Sequence, residues 1–297
     1  MTSAVEALDG TVVIEVRCNE YTMRDRNPHV PWSPEEIAAD AAACRAAGAS
    51  VVHYHARVPG TGAPSGEVEL YAETIRQMRA TSDVLINPTL GASTIPDPAV
   101  RVAHIPVLAA DAATRPDLAP VDLGSFNIDP YDRDTKTFRN EELVYRTSVA
   151  GLRHEIDVIH RAGVAVQAVL WTVGSARLLD AFMDMGVLPS SVYAEITLSA
   201  GWLSTHPPTV RGLQTMVEFL PARDVVWSVG CYGASLLPLV AAAFEAGGHV
   251  SIGLGDHPYN ELGTPTNAEL VAEVVRIAKA QGKRPATPAE VRAALGC

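Results

Sequence analysis

A short apolar run rich in β-branched residues repeatedly precedes an Ala-rich stretch whose polar positions recur at helical spacing. The runs lie at 11–17 (TVVIEVR), 50–55 (SVVHYH), 83–87 (DVLIN), 120–125 (PVDLGS), 164–171 (VAVQAVLW), 191–198 (SVYAEITL), 224–231 (DVVWSVGC) and 249–254 (HVSIGL). Near-continuous apolar strands separated by helices predict a parallel sheet covered on its outer face. The helices before three strands end alike, in "RAAGASVV", "HRAGVAVQ" and "EAGGHVSI". Glycine there suits the left-handed cap that ends a helix. The first helix is signalled by "WSPEEIAADAAACRAAG": Ser33 as N-cap, Pro34 at the first position, and Glu36 completing a capping box.

Eight strand–helix units predict an α/β fold, a (β/α)8 TIM barrel, as one domain over residues 1–297 that ends in C-terminal helices. The third helix is the least regular, because "DPAVRVAHIPVLAADAAT" mixes breakers with apolar residues. An open doubly wound sheet is the rival fold. No G-x-G-x-x-G follows the first strand, which weighs against its dinucleotide-binding form.

Composition narrows the function classes. The formal charge is −11, from 34 acidic residues against 23 Lys plus Arg, which argues against non-specific nucleic-acid binding. No apolar run is long enough for a transmembrane helix, and "MTSAVEALDG" lacks the basic and apolar segments of a secretory leader. A cytoplasmic protein with free thiols is expected, since Cys18, Cys44, Cys231 and Cys297 are scattered. A homo-oligomer is expected on the general frequency of symmetric assemblies.

The chemistry gathers around "VVHYHARVPG" at 51–60. Strand alternation points His53 and His55 to one face and Tyr54 to the other. The Gly/Pro loop that follows puts both histidines at the carboxyl end of the second strand, the catalytic face of a barrel. Two imidazoles there can offer nitrogens to one divalent ion, most plausibly zinc. Other strand ends carry Glu20, Thr89, Ser125, Asn127, Gln167, Glu195, Asp256 and His257. A carboxylate inside an apolar strand, such as Glu195, must be paired, protonated or ligated. The alternative for Glu195 is an outward facing, and for Asp256 turn-forming chemistry. His29, His206 and His249 read as loop or packing residues, and the four tryptophans as core or interface.

The blocks "NPHVPWSPEEIAADAAACRAAGASVVHYHAR" (27–57), "GGHVSIGLGDHPY" (247–259) and "NAELVAEVVRIAKAQGKRPATPAEVRAALG" (267–296) resemble the β-keto acid cleavage enzymes of the 3-keto-5-aminohexanoate cleavage type. That resemblance implies a barrel holding one divalent metal, usually zinc. It also implies a β-keto acid and acetyl-CoA as substrates, converted by a retro-Claisen step to a CoA ester and acetoacetate. By resemblance His53 and His55 match the metal histidines, Asp256 the catalytic aspartate, and Thr89 and Ser125 hydroxyls that contact substrate. Glu20 lies close to a substrate-binding glutamate, although the ungapped match puts Tyr21 there. Members of the family commonly read Arg-Val-Gly-Leu-Glu-Asp on the eighth strand, where this chain has Ser251, Ile252, Gly253, Leu254, Gly255 and Asp256. The ligand Glu and a helper Arg are therefore missing, and a third ligand must come from Glu195, Glu20, Asp256 or water. Two other readings compete: a metal hydrolase of the amidohydrolase type, and a relative that binds metal or ligand without turnover.

Overall fold

The computed structural model describes residues 2–91 and 95–297. Eight parallel strands form one sheet: β1 Ile14–Arg17, β2 Val51–Tyr54, β3 Leu85–Pro88, β4 Leu118–Asp122, β5 Ala165–Leu170, β6 Ser191–Ser199, β7 Asp224–Tyr232 and β8 His249–Ile252. Their order is β3-β2-β1-β8-β7-β6-β5-β4. The end strands meet where the Asp117 amide donates to the Ile86 carbonyl at 3.0 Å. The sheet thus comes to near closure as the expected (β/α)8 barrel.

Helix α1 (Pro34–Ala47) begins as its sequence dictates. Ser33 Oγ accepts from the Glu36 amide at 3.2 Å, and the Glu36 carboxylate accepts from the Ser33 amide at 2.9 Å. After α2 (Val68–Thr81), the irregular third helix forms as two pieces, α3 (Pro98–Val102) and α4 (His104–Ala109). Pro106 has no N–H to offer the carbonyl four residues back, so one continuous helix loses a rung there. Helices α5 (Val149–Arg161), α6 (Val173–Asp184), α7 (Val210–Glu218) and α8 (Leu237–Glu245) complete the outer ring. α9 (Asn267–Ala280) packs against α1 and α8, and α10 (Pro288–Leu295) follows it. Among the described residues, no helix is long and apolar enough to cross a membrane.

Burial divides by strand parity. Val16, Val52, Ile86 and Val121 face the helices in the main core. Val13, Val51, Leu85, Leu118, Tyr193 and Val226 fill the amino end of the barrel interior, closed by Ala4, Leu8, Ala286 and Val291. One layer higher the interior turns polar. The buried Glu15 carboxylate accepts from Asn87 Nδ2 (2.9 Å), Gln167 Nε2 (2.7 Å) and Tyr193 Oη (2.9 Å). Above that layer sits the candidate site. The β4–α5 connection, which the sequence pattern does not resolve, carries two small ribbons: Phe126–Asn127 with Val144–Tyr145, and Tyr131–Asp132 with Thr137–Phe138.

His249 gives the barrel a testable pH dependence. Its Nδ1 accepts from the Val13 amide at 3.1 Å. Burial, then Lys283, pushes its pKa down to about 4. A group depressed on folding contributes stability that is present above its unfolded pKa, about 6.5, and is lost as pH falls through its folded value. His249→Asn is expected to reduce the loss of unfolding free energy between pH 7 and pH 4 by about 1–3 kcal/mol. Urea unfolding at stepped pH checks this, and parallel wild-type and variant curves would refute it.

Candidate active site

Alternation along the strands aims Arg17, His53, Thr89, Asp122, Val169 and Trp171 into one cavity at the carboxyl mouth. The parallel register sets Arg17 directly beside His53. His55 continues the β2 direction on the same face, and the two imidazole centroids lie 5.3 Å apart. Burial, then Arg17, holds His53 well below its ordinary pKa, and burial lowers His55 to about 4. Both imidazoles are therefore neutral near pH 7, the form that binds metal.

Glu20 joins them from the loop after β1. Its Oε1 lies 3.3 Å from His53 Nε2, and Glu20, His53 and His55 each offer a ligand atom within 4.8 Å of the others. The loop is tied down at several points. Asn19 Nδ2 donates to the carbonyls of Pro31 (3.0 Å) and His55 (2.9 Å), and its Oδ1 accepts from the His55 amide at 2.8 Å. Arg57 donates to the carbonyls of Asn19 and Glu20, and the amides of Tyr21 and Thr22 reach the Gly255 carbonyl. Gly255 is what admits this path. A Cβ there would stand 2.5 Å from Glu20 N, 2.8 Å from Glu20 Cγ and 2.9 Å from the Arg17 carbonyl oxygen. Two of those three are backbone atoms, so any side chain at 255 displaces the Glu20 loop.

Arg17 is the hub. Its Nη2 lies 2.5 Å from Glu20 Oε1, its Nη1 2.8 Å from Glu195 Oε2, and its Nε 2.7 Å from Asp256 Oδ2. Three buried carboxylates cannot all ionise comfortably around one guanidinium. Burial works against ionisation of Glu20, but Arg17, a hydrogen bond from Asp256 and the two imidazoles outweigh it, and its pKa falls. Burial, then the negative fields of Glu20 and Glu195, push Asp256 well up despite Arg17. Burial, offset in part by Arg17, raises Glu195 to about 7. Glu20 is thus the ionised member, and Asp256 holds a proton.

The donor set suits a divalent cation: two neutral imidazoles and an ionised carboxylate face one another with no proton between them. Glu20 Oε1 and His53 Nδ1 are buried without a well-directed hydrogen bond. Glu195 is not in this triad. It faces inward and accepts from Arg17 Nη1 at 2.9 and 2.8 Å and from Thr197 Oγ1 at 2.9 Å. Of the other strand-end residues, Thr89 lines the cavity. Ser125 is exposed, and its hydroxyl donates to the Thr147 carbonyl at 2.7 Å. Gln167 belongs to the Glu15 layer below, and His257 pairs with Glu261 at 3.1 Å. Sequence reading missed Arg17, Asp122 and Tyr232, and it read Trp171 and Trp202 as packing although both line the cavity.

Fold and site together define a TIM-barrel protein with a buried carboxylate, arginine and histidine centre at its strand carboxyl ends. The chain belongs to the β-keto acid cleavage enzyme family, whose model matches residues 11–297. It is 26% identical over 293 residues to the 3-keto-5-aminohexanoate cleavage enzyme of Acetoanaerobium sticklandii, covering 97% of this chain and 99% of that protein. It is likewise 26% identical to a 3-dehydrocarnitine:acetyl-CoA trimethylamine transferase of Rhizobium meliloti, covering 91% of each. The solved apo structure of ObcA superimposes with a TM-score of 0.72 at 17% identity. That match covers 91% of this chain and 66% of the other, and it supports the fold alone.

Proposed function

We infer that this chain is a divalent-metal-dependent acyltransferase that converts a β-keto acid and acetyl-CoA to a CoA ester and acetoacetate by a retro-Claisen route. The observation that carries this reading is the convergence of Glu20, His53 and His55 beside Arg17 and Asp256, in a chain of this family. Relatives named as acetyl-CoA transferases support the co-substrate.

Glu20, His53 and His55 would hold the ion, and their nitrogen and oxygen donors suit zinc. When bound, the ion supplies Lewis acidity that stabilises negative charge developing at the substrate's ketone oxygen. The remaining work falls to the chain itself. Asp256 exchanges a proton at its buried carboxyl and is the group assigned to the substrate α-carbon. Arg17 holds Asp256 in place and sets which of its three carboxylates is protonated. Thr89 presents a hydroxyl at the cavity wall, where it can orient the substrate carboxylate. Ser125 would reach substrate only by turning away from Thr147.

The test is a screen of β-keto acids with acetyl-CoA on zinc-loaded protein, following acetoacetate. Turnover is expected, with Asp256→Asn reducing it about 100- to 10,000-fold. Metal binding without acetoacetate from any keto acid would identify a relative that lost turnover and overturn the reading. Product formed without acetyl-CoA would identify a hydrolase, although β5 and β6 carry none of the histidines or lysines such a site uses.

A further inference from the structure

Away from the imidazoles the cavity wall is aromatic. Phe126 and Trp171 have centroids 5.2 Å apart, Trp171 and Trp202 5.0 Å, and Trp202 and Tyr232 4.3 Å. One acid stands in this wall. Asp122 Oδ1 accepts from the Trp171 indole N–H at 2.6 Å, and Asp122 joins no ion pair among the described residues. The neighbouring Arg101 is engaged elsewhere. Its guanidinium carbon sits 5.2 Å from the Tyr145 ring centroid, and its Nη1 pairs with Glu155 at 3.1 Å, both residues buried. Arg17 already faces three carboxylates, and Arg139 is exposed on the hairpin outside the lining. The wall therefore presents ring faces and a carboxylate, with no arginine or lysine placed to receive an anion.

We propose that Phe126, Trp171, Trp202, Tyr232 and Asp122 form a subsite for a bulky alkylated ammonium group, carried at the end of the substrate remote from its keto-acid carboxylate. The keto-acid half of that substrate rests on the function inferred above; recognition of the cation does not. Ring faces attract a desolvated cation, and Asp122 supplies its counter-charge. An alkylated ammonium has no N–H groups to satisfy. A primary ammonium brings three donors, and the wall offers chiefly one carboxylate, of which one oxygen already accepts from Trp171. A second carboxylate at the remote end would meet Asp122 with no cation to offset the repulsion.

Calorimetric titration with choline and with its neutral carbon isostere, 3,3-dimethylbutan-1-ol, tests the subsite directly. Choline is expected to bind about tenfold more tightly than the isostere, with and without zinc. Asp122→Asn and Trp202→Leu, each checked for folding by circular dichroism, should remove that preference. No saturable choline binding, equal or tighter binding of the isostere, or a preference unchanged in both variants overturns the proposal. Keto acids ending in trimethylammonium, tert-butyl or carboxylate groups then separate the two readings. Turnover confined to the neutral or anionic ends sinks the subsite and leaves the acyltransferase standing. Cation binding with no turnover of any of them does the reverse.

Discussion

Arg17→Met is expected to destabilise the protein by about 3–5 kcal/mol, the range seen when one partner of a buried ion pair is removed. The residue is 7% exposed and lies within 2.8 Å of carboxylate oxygens on Glu20, Glu195 and Asp256. Methionine fills comparable volume, so the loss reflects uncompensated charge more than a cavity. The sign with pH follows. Without Arg17 the three carboxyls are raised further, and a carboxyl raised on folding gives stability that is present below its unfolded pKa and lost as pH rises through its folded value. The deficit should therefore be larger at pH 8 than at pH 5 in urea unfolding. Arg17→Lys keeps the charge without the planar fork and should fall between. An equal deficit at both pH values would show that Arg17 acts by packing alone.

Gly255→Ala should remove metal binding and turnover together. The new methyl group would lie 2.5 Å from Glu20 N and 2.9 Å from the Arg17 carbonyl oxygen, contacts that backbone cannot relieve without moving the loop. Overpacking of this kind typically costs about 1–3 kcal/mol, leaving a folded barrel in which Glu20 no longer meets His53 and His55. Metal content below about one-tenth of an equivalent, with an intact circular dichroism spectrum, is the expected result. Full metal loading in Gly255→Ala would mean that Glu20 is not a ligand or that its loop yields freely.

Much of this was legible in the sequence, because strand alternation is local. The β-branched runs located the barrel, the H-x-H spacing put His53 and His55 on one inner face, and Ser33, Pro34 and Glu36 marked the start of α1. What escaped is what the chain builds across distance. Residues 20 and 255 meet only because a near-closed barrel seats β8 beside β1, with Ser251 opposite Glu15. The same adjacency brings Arg17 from β1 to Asp256, after the strand on which the family commonly carries an arginine. An arginine closing "TVVIEVR" at a strand's carboxyl end was the available signal. The position of Glu195 depended on which parity of β6 faces inward, and that became visible only with Tyr193 and Thr197 on the same side. Gly230 leaves that carboxylate its space, since a Cβ there would lie 2.7 Å from Glu195 Oε1. Trp171 and Trp202 read as packing because an aromatic side chain looks the same from the sequence whether it fills a core or walls a cavity.

Metal content by inductively coupled plasma mass spectrometry tests the central claim most directly. Wild type, Glu20→Gln, Glu195→Gln and His53→Ala/His55→Ala would be purified without a metal-binding tag and reconstituted with zinc. The account predicts about one equivalent per chain in wild type and Glu195→Gln, and loss in Glu20→Gln and in the double-histidine variant. Full loading of Glu20→Gln, or loss confined to Glu195→Gln among the carboxylate variants, would contradict it.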